Sequence, residues 1–332
     1  MDTRCARCLM PALPLGPSPV GPGLCGTCKD QATIPSPPAE STLLNLVKKH
    51  RGKHGYDCAV LCSGGLDSTA ALHMMKRHYG VEPLALTLDH GLLSAGALAN
   101  VRRAAEALGV DHIAFAHDLP RRVASGMLAA GGRALVCQAC APWLLETALD
   151  LAARFDAPFL VTGWTRPGPT EPGARAVCGC DPSRPEYAPA AADTDRFLAA
   201  ELDGLTGAKG SPRSLEQARK RIPRRLRRPI LSPHWFQPPP AEGWQALLTR
   251  ELGWQPPAEA TPWKSTPCAL AATSVHGAVG DLGISTALVQ LSERVRAGQL
   301  DRAEAQALLE AQPTPSAAQI AAHLDPWTEA AE

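Results

Sequence analysis

A chain of 332 residues with 45% hydrophobic side chains can bury a core large enough for one big domain or two moderate ones, which excludes disorder as the default. Its 33 basic and 32 acidic side chains nearly cancel, so no global field draws it to nucleic acid or an anionic membrane, and any such attraction must come from local patches. No apolar run of about 18 residues is long enough to span a bilayer, and the amino terminus lacks a secretory layout, so a cytoplasmic protein with no membrane partner is expected.

Eleven cysteines are many for a reducing compartment, where C-x-x-C pairs more often bind metal than form disulfides. The first pairs are Cys5-x-x-Cys8 and Cys25-x-x-Cys28, separated by the 16 residues 9–24. Four thiolates at that spacing suit a closed, tetrahedral structural Zn2+, so residues 1-35 are expected to form a zinc-binding knuckle; the other reading is an unliganded tail.

Residues 57–62 form a short apolar run that ends at the pair Gly64-Gly65, and Leu66, Ala70, Leu72, Met74 and Met75 then recur at helical spacing. That order reads strand, turn, helix. Further strands are expected at 84–88, 110–115 and 158–162, with helices at 94–108 and 142–155. The alternation implies an α/β fold, a doubly wound parallel sheet. Ligands of such sheets sit at the carboxyl ends of the strands, so the loops after Cys62, Leu88 and Thr162 should converge. Helices are then expected near 193–203, 213–222, 241–252, 284–297 and 301–311. Residues 41-190 thus read as a nucleotide domain, and 191-332 as a mostly helical region for substrate or partner.

The segment Ser63-Gly64-Gly65-Leu66-Asp67-Ser68 is built for phosphate. Its glycines allow a tight turn and close backbone approach, and the next helix aims its unpaired N–H groups and positive dipole end at the same spot. Ser63 and Ser68 add hydroxyls, and Asp67 either holds a phosphate-bridging Mg2+ or caps the helix.

This segment resembles the PP-loop of the N-type ATP pyrophosphatases, a superfamily of amide-forming synthetases, tRNA-modifying enzymes and sulfur transferases. The resemblance implies that ATP is cut to AMP and pyrophosphate while a carbonyl-type oxygen is adenylated. It places pyrophosphate on residues 63–68. Adenine would lie against Leu61, Cys62 and the stretch from Thr87 to Gly91, with Asp89 and Gly163 at matching positions. Leu66 stands where many members carry lysine, which changes the group that meets pyrophosphate. Phosphoryl chemistry relies on positioning and charge neutralisation, so the lack of a catalytic triad is no objection.

Cys137-Gln-Ala-Cys140 precedes the helix expected from Pro142, and a helix amino end favours thiolate. Partners for these thiols are Cys178, Cys180 and Cys268. Several readings stay open: a second zinc, a [4Fe-4S] cluster on Cys137, Cys140 and Cys268 with an iron open to sulfide, a persulfide-delivering redox pair, or ordinary reduced thiols. Cys58 and Cys62 are expected to face core or nucleotide.

Cys5-Ala-Arg-Cys8-Leu-Met-Pro11, Gly23-Leu-Cys25-Gly-Thr-Cys28, the phosphate loop, Leu86-Thr-Leu-Asp89-His-Gly91-Leu-Leu-Ser94 and Cys137-Gln-Ala-Cys140 together resemble the N-acetyl sugar amidotransferases. Those enzymes imply nitrogen transfer to an amide- or carbonyl-bearing acceptor, a nucleotide-linked sugar or other metabolite, with ammonia from a separate glutaminase. The chain departs from them at Thr162-Gly163-Trp164-Thr165-Arg166, where a glycine followed by an acidic residue is expected, and in the Pro-, Gly- and Cys-rich stretch 167–189. A sulfurtransferase therefore stays open, thiolating a tRNA base or metabolite through Cys137 and Cys140 with a sulfur carrier as donor. So does a non-catalytic zinc scaffold that binds adenine nucleotide. The run from Arg219 to Arg228 carries seven cations in ten residues and reads as a phosphate or tRNA patch or as a solvated face. His90 reads as a polarising or proton-transfer group, or as a loop histidine with a structural hydrogen bond.

Overall fold

Apart from Asp57, the stretch from Asp57 to Cys62 carries nothing that favours water, and it becomes the central strand β1 (Cys58–Leu61), preceded by the helices α1 (Gly26–Lys29) and α2 (Ser41–His50). The computed structural model describes residues 4–11, 23–29, 39–91, 93–130, 135–164, 187–207, 209–211, 215–224, 227–257, 268, 284–296, 298 and 300–311. Cys178, Cys180 and Arg225 lie outside the described residues.

Strand β1 pairs in parallel with β2 (Pro83–Asp89) on one side and β4 (Leu160–Val161) on the other. Beyond them lie β3 (His112–Ala116) and β5 (Ile230–Leu231), also parallel, in the order β3-β2-β1-β4-β5. Val60 sits opposite both Ala85 and Val161. This is the doubly wound parallel sheet expected from the alternation of strands and helices. Strand β5 was not expected. Its two residues follow Pro229 and are too few to show a period, and they become a strand because Pro229 and Leu231 carbonyls accept from Leu160 and Thr162 N–H groups at 2.8 and 2.9 Å.

Alternating side chains send β1 residues to two cores. Cys58, Val60 and Cys62 pack with Ala70 and Leu72 of α3 (Leu66–His73), Val101 and Leu108 of α4 (Ala95–Leu108), and Leu248 and Leu252 of α9 (Gly243–Leu252). Ala59, with Leu84, Leu86 and Leu160, packs on Leu145, Leu149 and Ala152 of α6 (Val136–Arg154). Each fully buried leucine contributes roughly 1.5–3 kcal/mol. Helix α4 is bounded as its ends dictate: Ser94 Oγ accepts from Ala97 N at 3.2 Å, and Gly109 closes it in the left-handed region.

Two helical expectations are corrected. Helix α5 (Leu119–Ala129) was not foreseen, and α6 begins at Val136 rather than near Pro142. Proline in a helix interior removes a hydrogen bond, which made Pro142 read as a first residue. Burial overrides that cost: Leu135, Val136, Cys137 and Ala141 are all buried, and Leu135 N donates to Thr194 Oγ1 at 2.9 Å on α7 (Ala188–Thr206). Towards the carboxyl terminus the chain is mostly helical, with α8 (Leu215–Arg221), α9 and the helices Thr286–Arg296 and Arg302–Glu310. Among the described residues no helix is long and apolar enough to cross a membrane.

Candidate functional site

From β1 the chain crosses to β2 on one side, and β4 later returns on the other. The carboxyl ends of β1 and β4 therefore open a crevice at the point where the winding reverses. The loop 63–68, expected to meet phosphate, lies at that point, between β1 and α3. Gly65, with extended backbone, is the N-cap of α3 and makes no side-chain cap, while Asp67 sits in the first helical turn. Asp67 is thus not the helix cap. Ser68 Oγ accepts from Ser63 N at 3.1 Å, lies 3.1 Å from Ser63 Oγ and donates to Gly65 O at 3.2 Å, so the two hydroxyls brace the loop from within.

Two glycines show how tightly the loop is enclosed. Gly64 has φ +77°, and a Cβ there would fall 1.9 Å from Ala97 O on α4. A Cβ on Gly163 would fall 2.6 Å from Ser68 N and 2.8 Å from Asp67 C. Gly64 brings the β1 loop onto α4, the helix that follows β2, and Gly163 brings it onto the residues after β4. The loops after Cys62 and Thr162 thus meet as expected, and the first turn of α4, rather than the loop after Leu88, is the third segment in contact.

Other expected nucleotide contacts are placed less uniformly. Cys62 is buried, and burial pushes its thiol up, so it packs as a small apolar residue. Thr87 is buried and donates its hydroxyl to Cys62 O at 2.7 Å, and His112 Nε2 lies 2.9 Å from Thr87 Oγ1, so the hydroxyl links β2 to both of its neighbours. Leu61 and Leu66 are half-buried and lean on opposite cores. Asp89 Oδ1 accepts from Gly91 N at 2.8 Å, which shapes the turn after β2.

Three residues near the loop are given no role by the sequence, although Leu252-Gly-Trp254 belongs to a weaker resemblance of the tail to the amidotransferases. Trp254 Nε1 and Asn100 Nδ2 both donate to Gly64 O, at 3.0 and 3.2 Å, and His234 Nε2 lies 2.8 Å from Asp67 O. All three act on main-chain oxygens from distant parts of the sequence. The one available signal is that a buried tryptophan requires an acceptor for its N–H.

The cysteines form two groups. Cys5, Cys8, Cys25 and Cys28 are buried, and their sulfurs all lie within 4.8 Å of one another. Cys8 Sγ is 3.7 Å from Cys25 Sγ and 3.5 Å from Cys28 Sγ. Tetrahedral Zn–S bonds of about 2.3 Å put neighbouring sulfurs about 3.8 Å apart, so the cage fits a single zinc. A four-iron cluster spreads its thiolates over separate irons and needs a wider cage. The crowding shows in the thiols themselves. Hydrogen bonds from Cys25 and Cys28 hold Cys8 far below the usual range, and hydrogen bonds to Cys28 and Cys8 hold Cys25 far above it. Arg296 NH1 donates to Cys8 Sγ at 3.3 Å, and Arg302 Nε lies 3.3 Å from both the Cys5 and Cys8 carbonyls, so two cations offset the charge of a four-thiolate site.

Cys137, Cys140 and Cys268 come together differently. The first two lie within the opening turns of α6, and Cys268 is tied to Leu93 by an isolated antiparallel bridge. Cys268 Sγ is 3.5 Å from Nε2 of His90, whose ring is 5% exposed. Burial, then Cys268 and Cys137, push the Cys140 thiol well above its ordinary value. Burial thus opposes the preference for thiolate that a helix amino end brings. Among the described residues, only the Cys5, Cys8, Cys25 and Cys28 group closes to 4.8 Å.

Of the basic run, Arg221 Nε pairs with Glu146 at 3.3 Å, while Arg227 and Arg228 donate to the Ile222 and Ala157 carbonyls at 3.0 and 3.1 Å. These cations brace the chain around β5.

No protein-family model matches the chain, and no curated protein matches it either. Among solved structures it is similar to the U34-tRNA thiolase NcsA from Methanococcus maripaludis with its [4Fe-4S] cluster, at 14% identity and TM-score 0.38, over 95% of this chain and 90% of that one. It is similar to the NH3-dependent NAD synthetase from Campylobacter jejuni at 11% identity and TM-score 0.34, over 80% and 94% of the two chains. The NMN synthetase from Francisella tularensis matches at 14% identity and TM-score 0.29, over 55% and 91%.

Proposed function

We propose that this chain is an enzyme of the PP-loop ATP pyrophosphatase kind, which binds the phosphates of MgATP at the amino end of α3 and cuts ATP to AMP and pyrophosphate. The adenylated group is an amide or carbonyl oxygen of the acceptor, and nitrogen transfer follows, with ammonia from a glutaminase partner. The observation that carries this reading is the pair of enforced glycines, 64 and 163, around a loop at the reversal point of the sheet. Side chains are excluded there by backbone atoms, which leaves main-chain N–H groups and a helix end as the natural contacts for an anion. Asp67 lies in the first turn of α3, which supports it as the residue that would hold Mg2+. Residues 1-35 serve as a structural zinc knuckle, 41-190 carry the nucleotide chemistry and 191-332 meet substrate or partner.

Release of AMP and pyrophosphate, measured with candidate acceptors of the N-acetyl sugar class and ammonium, tests the reading. It fails if Asp67→Asn leaves that release unchanged.

One observation favours a second reading. Cys137, Cys140 and Cys268 gather beside His90, at the carboxyl end of β2, on the edge of the sheet that carries the phosphate loop. A sulfurtransferase would need thiols at that edge, with a tRNA base or small metabolite as acceptor and a sulfur carrier as donor. Anaerobic purification with iron, zinc and sulfide analysis separates the two readings: iron with labile sulfide favours sulfur transfer, and zinc alone favours nitrogen transfer.

A further inference from the structure

The carbonyl of Gly64 accepts two buried hydrogen bonds, from Trp254 Nε1 at 3.0 Å and from Asn100 Nδ2 at 3.2 Å. Trp254 is 4% exposed and Asn100 1%. Asn100 is itself immobilised: Nδ2 also donates to Gln255 O at 2.7 Å, and Oδ1 accepts from Gln255 N at 3.0 Å and Arg103 NH2 at 2.5 Å. Both hydrogens and both lone pairs of the amide are therefore used, which leaves it one orientation.

The consequence lies on the other side of the same peptide plane. Among the described residues there is no cis peptide bond, and in a trans unit C=O and N–H point in opposite directions. A Gly64 carbonyl held against Trp254 and Asn100 turns the Gly65 N–H away from them, at the N-cap of α3. The glycines that let the loop fit also leave this peptide easy to flip, because neither flanking residue carries a Cβ. A flipped peptide would aim carbonyl lone pairs at an anion in place of a donor.

We infer that Trp254 and Asn100 are positioning residues that lock the Gly64–Gly65 peptide with its N–H toward bound pyrophosphate. The segment after α9 thereby sets the polarity of the phosphate loop. This inference rests on the proposed ATP pyrophosphatase reading and adds to it a determinant of phosphate affinity contributed from residue 254.

The test uses the full chain and three probes: Mg-pyrophosphate, MgATP and adenosine, each titrated calorimetrically. Trp254→Phe keeps the ring and removes the donor. Pyrophosphate and ATP should bind about tenfold more weakly, the equivalent of one misaligned charge-assisted hydrogen bond, while adenosine binds as before. A merely structural role would weaken all three together. The lock is overturned if W254F, melting as wild type, binds pyrophosphate within about twofold of wild type. Should W254F fail to fold, the wild-type protein labelled with 15N-glycine gives the answer. The Gly65 amide should move strongly on saturation with pyrophosphate, and an unmoved Gly65 resonance in a protein that binds pyrophosphate overturns the lock alone. If wild type binds neither pyrophosphate nor ATP, the proposed function falls and the lock with it.

Discussion

The two cysteine groups are held together by different parts of the chain. Around Cys5, Cys8, Cys25 and Cys28 the work is local: Cys5 N donates to Met10 O at 2.8 Å, Cys28 N to Cys25 O at 3.1 Å, and Ala6 N to Gly23 O, so two tight turns face each other. Packing then encloses them. Leu288 and Val289 of the helix Thr286–Arg296, Ile284 just before it and Ala305 of the helix Arg302–Glu310 share one buried cluster with all four cysteines, as do Leu135 and Cys137 at the start of α6. Cys137, Cys140 and Cys268 depend on a helix that starts early and on a bridge between Leu93 and Cys268. The comparison teaches that a closed single-ion cage is written in short spacings. A looser group at a strand end is assembled by the fold, and it is the one placed near the proposed chemistry.

The largest expected effect breaks or confirms that division. Cys8→Ser, or chelation of the wild type, should remove the metal and cost at least about 3 kcal/mol, lowering Tm by roughly 5–10 °C, because the knuckle anchors the helices Thr286–Arg296 and Arg302–Glu310. Cys140→Ser should shift Tm by less than about 2 °C. Calorimetry with metal analysis checks both, and equal shifts would erase the contrast. Next, Asp67→Asn should slow AMP and pyrophosphate release on the order of 100-fold without altering the metal content of either group. Gly163→Ala forces a methyl onto the Ser68 main chain. It should cost about 1–3 kcal/mol in stability and raise KM for ATP more than it lowers kcat, as steady-state kinetics would show.

Cys137→Ser sharpens the comparison from the other side. Under nitrogen transfer it should leave AMP and pyrophosphate release within about twofold, whereas under sulfur transfer the thiolated product should disappear while ATP is still turned over.

The smallest effect involves neither group and serves as a reference. The hydrogen bond from His73 Nε2 at 2.7 Å, more than any other contact, holds the Glu251 carboxyl below its usual range. A depressed carboxylate contributes stability above its unfolded pKa and loses it as pH falls through the folded value. Because Glu251 is part-exposed, the contribution is at most about 1 kcal/mol. Glu251→Gln should melt slightly lower than wild type at neutral pH, and the two should converge in acid.

Much of this was legible from the chain alone. The run from Asp57 to Cys62 and the Gly-Gly turn announced β1, the loop and α3, because strand and helix periods are local. Pro142 misled, since propensity placed a helix start where burial of Val136 and Cys137 carried the helix through. Ile230-Leu231 was too short to carry a period, and β5 exists only because β4 offers it a ladder. Leu252-Gly-Trp254 matched a family ending but gave Trp254 no role, since nothing local sets one indole among seven in the chain apart as a partner of the loop.

The sequence by itself determined the alternation of strands and helices, the phosphate loop and the spacing of the four amino-terminal cysteines, since each depends on residues within a few turns of one another. Tertiary structure alone decided that Trp254, 190 residues away, holds the Gly64 carbonyl, that Gly163 seals the loop, and that Cys268 reaches His90. Contacts of that kind leave no periodic trace, because they come from packing between elements rather than from bonded geometry within them.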